Sequence, residues 1–211
     1  MLDTRFPRLP GDIGHPASVP GPVLRRMVAG ASPRRVVREQ DRMLLAPFVA
    51  AGAALVRDGA TALTTSCGFL ILFQRELQAA LKVPIWTSSL LKLPELARPG
   101  VLTVDADALT AAHLVAAGAG GDTPVAGLAP GCHLQRVLLE DLAELDAEVA
   151  EADAVAAARR LVRRHPGIDS IVLECTNLPP YATAIALATV RPVHHLLSFL
   201  GERLDFGTAS R

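Results

Sequence analysis

Two segments of this chain share one pattern, and that pattern constrains the fold more than any other feature. The first reads Ala62-Leu63-Thr64-Thr65-Ser66-Cys67-Gly68-Phe69-Leu70, the second Ile171-Val172-Leu173-Glu174-Cys175-Thr176-Asn177-Leu178-Pro179. Each is a short apolar run, a polar step, a cysteine and the start of helical spacing. The cysteines stand 108 residues apart, about half of the 211-residue chain, as an internal duplication would place them.

The rest of the chain fits around these segments as alternating strands and helices. Leu9 to Pro22 is broken by Pro and Gly and reads as a long loop. Helical spacing runs from Arg42 to Arg57, a strand covers 62–65, and a helix follows from Phe69 to Leu81. Residues 83–87 read as a strand and 92–100, with Pro94 and Pro99, as a crossover. The order then repeats: strand 101–104, helix 108–117, strand 123–128, one or two helices over 134–164, and strand 169–174. A helix over 179–188 has its prolines in the first turn, and strand 190–194 and helix 196–204 close the chain. Such alternation predicts an α/β protein of two pseudo-symmetric domains, each a mostly parallel sheet flanked by helices. The boundaries are 1–96 plus 190–211 for the domain carrying Cys67, and 97–189 for the domain carrying Cys175. Ligands in such sheets bind beyond the carboxyl ends of the strands, where both cysteines fall.

Composition excludes several classes. Lys plus Arg and Asp plus Glu balance at 21 each, so no net field attracts nucleic acid or an anionic membrane. Three widely spaced cysteines form no disulfide framework and no zinc-type spacing. No window approaches the ~20 apolar residues of a membrane span, and the N-terminal residues lack a signal-peptide core. The expectation is a soluble, cytoplasmic protein without metal or cofactor.

The paired cysteines suggest a chemistry. A helix start favours the thiolate, and its N–H groups can hold a carboxylate and the charge that develops on proton removal. Facing turns would set one base on each face of a substrate carbon: a thiolate removes the α-proton and a thiol returns one from the other side. Against this stands the ordinary buried, inert cysteine, which is how Cys132, without a counterpart in the other half, is read.

Thr64-Thr65-Ser66-Cys67 and Leu173-Glu174-Cys175-Thr176-Asn177 resemble the two cysteine motifs of the aspartate/glutamate racemase superfamily, which includes hydantoin racemases, arylmalonate decarboxylases and maleate isomerases. The resemblance implies an active site between two α/β domains, no cofactor, a homodimer, and a small carboxylate as substrate. It implies Cys67 and Cys175 as catalytic, with Asp12, Thr65, Ser66, Gly68, Phe69, Thr176 and Asn177 at the substrate. The chain departs from the amino-acid racemase pattern at Gly68-Phe69, where Asn-Thr is usual, and at Asn177, where glutamate racemases carry His. The expected function is a cofactor-independent racemase or epimerase. The alternatives are a decarboxylase or cis–trans isomerase on the same scaffold, or a non-catalytic binding protein.

Other residues carry weaker signals. Asp12 could orient a substrate or serve Pro-Gly-Asp turn chemistry. Thr65, Ser66, Thr176 and Asn177 could bind a carboxylate or cap a helix. Glu174 is costly to bury unpaired and so should have a hydrogen-bonding role. Thr87, Ser88 and Ser89 could line the cleft. His194-His195 lacks a third metal ligand, Gly118 to Gly121 lacks the context of a phosphate loop, and the acidic run 140–153 reads as a solvated helix face.

Overall fold

A computed structural model describes residues 1–204; residues 205–211 of the proposed first domain lie outside the described residues. Two parallel sheets organise the chain. In the first, β1 (Leu63–Thr64) pairs with β2 (Ile85–Trp86). In the second, β3 (Pro99–Thr103), β4 (Val125–Gly127), β5 (Ser170–Leu173) and β6 (Val193–His194) lie in the order β4-β3-β5-β6. Parallel neighbours require helical crossovers, which buries both faces of such a sheet. The central strand β5 therefore carries a run, Ser170-Ile171-Val172-Leu173, that is buried throughout.

The helices are α1 (Leu45–Arg57), α2 (Gln74–Ala80), α3 (Ala111–Ala116), α4 (His133–Leu139), α5 (Ala147–Arg164), α6 (Ala182–Thr189) and α7 (Leu196–Gly201). In α5, Ala150, Ala154, Ala157, Ala158 and Leu161 recur at helical spacing and are buried, so a small-residue stripe approaches the second sheet closely. Glu148 and Glu151 face solvent on the opposite side, as the acidic run predicts. The chain leaves α4 through Asp141, which has a positive φ of 56°. That residue ends the helical run over 134–164 that periodicity alone left as one or two helices.

The element order follows the sequence reading, although boundaries and helix types differ locally. The turn after Cys67 is a 3₁₀ helix, Gly68–Phe73, before α2 begins. Residues 1–40 contribute no strand to either sheet. Segment 193–204 touches both halves: β6 pairs with β5 of the second sheet, while Leu196, Phe199 and Leu200 of α7 pack with Ile13, Trp86 and Leu91 of the first. One apolar cluster runs from Leu2 and Phe6 through both sheets to Ile185, so the halves share a continuous core. Among the described residues no helix is long and apolar enough to cross a membrane.

Candidate active site

Both cysteine turns open into one cavity. Cys67 follows β1 as the cap of the 3₁₀ helix, and Cys175 follows β5 by two residues. They are 9% and 8% exposed and free. The cavity is lined by Cys67 and Cys175 together with Ser66, Gly68, Phe69, Thr176 and Asn177 of the sequence-predicted set. Its remaining walls are largely apolar, with Leu2, Phe6, Pro33 and Val37 on one side and Val104, Leu138 and Leu139 on another.

The two turns are tied directly. Thr176 Oγ1 donates to Ser66 O at 2.8 Å, and Ser89 Oγ donates to Leu173 O at 2.6 Å. Ser66 Oγ accepts from Leu2 N at 3.0 Å, which draws the N-terminal segment over the cavity. Thr65 is turned away: its hydroxyl lies 2.7 Å from Thr87 O and 2.9 Å from Cys67 O. It shapes the turn and does not line the cavity. Thr87, Ser88 and Ser89 are wholly buried and also lie outside the lining.

Asp12 reaches the site through Asn177. It is 1% exposed and accepts from Asn177 Nδ2, from Gly14 N at 2.7 Å and from Arg8 Nη1 at 3.0 Å. Asn177 Oδ1 in turn lies 3.7 Å from Cys175 Sγ, so the early loop orients the second thiol. Gly11 makes the loop possible, with a φ of +102° that side-chain-bearing residues rarely adopt, and a Cβ there would stand only 3.0 Å from Pro180 N. Burial raises the Asp12 pKa, although the Arg8 charge opposes it. Sequence reasoning missed Arg8; its place four residues before Asp12 was the available signal.

Electrostatics differ from the sequence expectation. A helix start was expected to lower the thiol pKa, yet burial pushes Cys67 up to about 12 and Cys175 well above its ordinary value. The charge of Glu174 is the next cause for both, outweighing one backbone N–H at each thiol, Phe69 at Cys67 and Asn177 at Cys175. Short 3₁₀ turns supply too little field to offset desolvation. At neutral pH both cysteines are therefore thiols.

Gly68 has a steric reason. A Cβ there would overlap Glu174 Oε1 and the Glu174 backbone oxygen, so the Asn of the amino-acid racemase pattern would not fit. Phe69 packs edge-on against buried His113 with ring centroids 5.0 Å apart, and burial lowers His113 to about 4, keeping it neutral. Cys132 caps α4 away from the cavity, and the His195 ring caps α7 by accepting from Ser198 N. Among the described residues no cluster of three or more His, Cys, Asp or Glu could hold a metal. Cys132→Ser should therefore keep activity close to wild type; a loss as large as that of a Cys67 variant would contradict this placement.

No family model matches the chain. It is 30% identical over 210 residues to a dimethylsulfoniopropionate lyase of Durusdinium sp. clade D, covering 92% of this chain and 68% of that protein. The chain belongs to the dimethylsulfoniopropionate lyase family. A second member, dimethylsulfoniopropionate lyase 3 of Emiliania huxleyi (strain CCMP1516), is 27% identical over 91% of this chain, which spans only 54% of that protein. Among solved structures, unliganded arylmalonate decarboxylase superposes with a TM-score of 0.62 at 17% identity, over 100% of this chain and 92% of that one. An aspartate racemase of Picrophilus torridus gives 0.51 at 12% identity, over 77% and 68%. The lyase family thus has, in this member, the aspartate/glutamate racemase fold that the two cysteine motifs led us to expect.

Proposed function

We propose that this protein is a cofactor-independent lyase that eliminates a dialkyl sulfide from a 3-sulfoniopropionate, with Cys67 and Cys175 as acid and base. The observation that carries the reading is the pair of thiols, one from each half, on the walls of a single cavity. The step balances without a co-reactant. One cysteine, as thiolate, takes a proton from the carbon next to the carboxylate. That electron pair forms the carbon–carbon double bond, the carbon–sulfur bond breaks, and the sulfide leaves neutral, giving acrylate. The other cysteine stays protonated and donates to the carboxylate as charge builds there.

Electrostatics support a sulfonium over an anionic substrate. Among the described residues the cavity lining carries no Lys or Arg, and its acid, Glu174, is pushed by burial up to about 8. One backbone N–H at each thiol, from Phe69 and Asn177, does not offset the cost of a buried thiolate. A sulfonium entering beside the thiols would, since an opposite charge within ~4–6 Å favours the ionised form. Phe69, in the lining, supplies an aromatic wall for the cation. The racemase reading remains as the second one, favoured by the retention of a cysteine on both turns.

The test is incubation of the purified protein with 3-(dimethylsulfonio)propionate, measuring dimethyl sulfide in the headspace and acrylate in solution. The elimination reading expects both in equal amounts. No sulfide, together with inversion of an amino acid or hydroxy acid from a panel of single enantiomers, would replace it with the racemase.

A further inference from the structure

Glu174 is the buried ionisable group at the site to which the elimination gives no role. Its side chain is wholly buried, one residue before Cys175. Thr103 Oγ1 on β3 donates to Oε2 at 2.6 Å, while Oε1 has no hydrogen-bond partner among the described residues. The carboxyl fills the recess beside Cys67 that exists because residue 68 is glycine. A Cβ there would overlap Oε1 and stand 2.9 Å from Ser88 Oγ. One carboxyl thus lies against both cysteine turns, contributed by the second half and received by the first.

We propose that Glu174 is a positioning residue for the thiol pair: the proton it carries in the recess at Gly68 governs how readily Cys67 and Cys175 ionise. The proposal rests on the reading of these thiols as acid and base, but its test needs no substrate. The groups around the carboxyl are Thr103 from β3, Ser88 beyond β2, and the two thiols; Arg8 acts on Cys67 and Asp12 on Cys175. Burial holds Glu174 up to about 8 against the Thr103 hydrogen bond. Below that pH the carboxyl is neutral and adds no charge. Above it, a carboxylate opposes a thiolate at both positions.

The experiment is iodoacetamide alkylation of the full chain, with each cysteine followed separately by peptide mapping across pH. Wild type and Glu174→Gln should label at equal rates at about pH 6, where both carry a neutral side chain at 174. By about pH 9.5, Cys67 and Cys175 should label about tenfold faster in Glu174→Gln, the size of one pKa unit, with Cys132 unchanged. A ratio that is the same at every pH would mean a merely looser site and would overturn the proposal, as would a change confined to one of the two thiols. Thr103→Val is the second variant. It removes the donor that holds the Glu174 pKa down, so the break in the labelling profile should move to higher pH. An unmoved break would overturn the proposal, and this variant decides alone if Glu174→Gln does not fold. Loss of sulfide release in the substrate assay leaves these labelling profiles untouched, so the two readings fail separately.

Discussion

Replacing Cys67 or Cys175 by alanine should lower turnover by ~10² to 10⁴-fold, the usual contribution of one general acid or base. The two losses should be far from additive, because each thiol needs the other protonation state opposite it. A lone base can remove the α-proton, but without the second thiol the charge builds on a carboxylate that the apolar lining does not solvate. Stability should change little, since removing one sulfur from a wall of the cavity leaves the core behind it intact. The check is steady-state turnover beside a thermal melt of each variant. A variant that kept most of its turnover would mean that its cysteine only fills space.

Asp12→Ala should destabilise the fold by ~3–5 kcal/mol, the cost of leaving a buried charge without its partner. Arg8 is the group stranded: its side chain is 12% exposed, and its Nη1 donates to both Asp12 oxygens at 3.0 and 3.1 Å. The raised Asp12 pKa means that desolvation outweighs the attraction. The pair is therefore no gain over two solvated ions, yet half of it is worse than none. For a chain of this size the loss corresponds to roughly 6–20 °C in Tm. The double variant Arg8→Met/Asp12→Leu should recover much of the stability while remaining poorly active, because Asn177 loses the acceptor that steadies it beside Cys175. Equal melting of Asp12→Ala and wild type would mean that Arg8 finds another partner or reaches water.

The parts that were legible in the sequence are those fixed locally. Leu63-Thr64 and Ile171-Val172-Leu173 are apolar runs cut off by turn residues, and a cysteine at each cut falls at the strand end whatever surrounds it. The prolines after Leu178 start the next helical turn for the same local reason. Contacts across long separations were not legible. Asp12 meets Asn177 across 165 residues, and neither residue type announces the other. Asp141 takes a positive φ while its Oδ1 accepts from Arg5 N and Phe6 N at 2.6 and 3.2 Å. Such a break has no Gly or Pro to mark it. The thiol pKa failed for a related reason. A helix start is visible in sequence, whereas desolvation by Leu2, Phe6, Pro33, Val37 and Leu138 comes from distant parts of the chain. Gly68 was noted as a departure from the racemase pattern, but its reason, the Glu174 carboxyl, lies in the other half.

The central claim is that two opposed thiols carry out proton chemistry at the carbon next to a carboxylate. Its most direct test is one NMR time course in deuterated water, with 3-(dimethylsulfonio)propionate and the wild-type, Cys67→Ala and Cys175→Ala proteins in parallel. The account predicts acrylate and dimethyl sulfide from the wild type, at rates ~10² to 10⁴-fold above either variant. Acrylate formed equally fast by all three proteins, or a wild type that neither eliminates sulfide nor exchanges the α-hydrogens for deuterium, would contradict it.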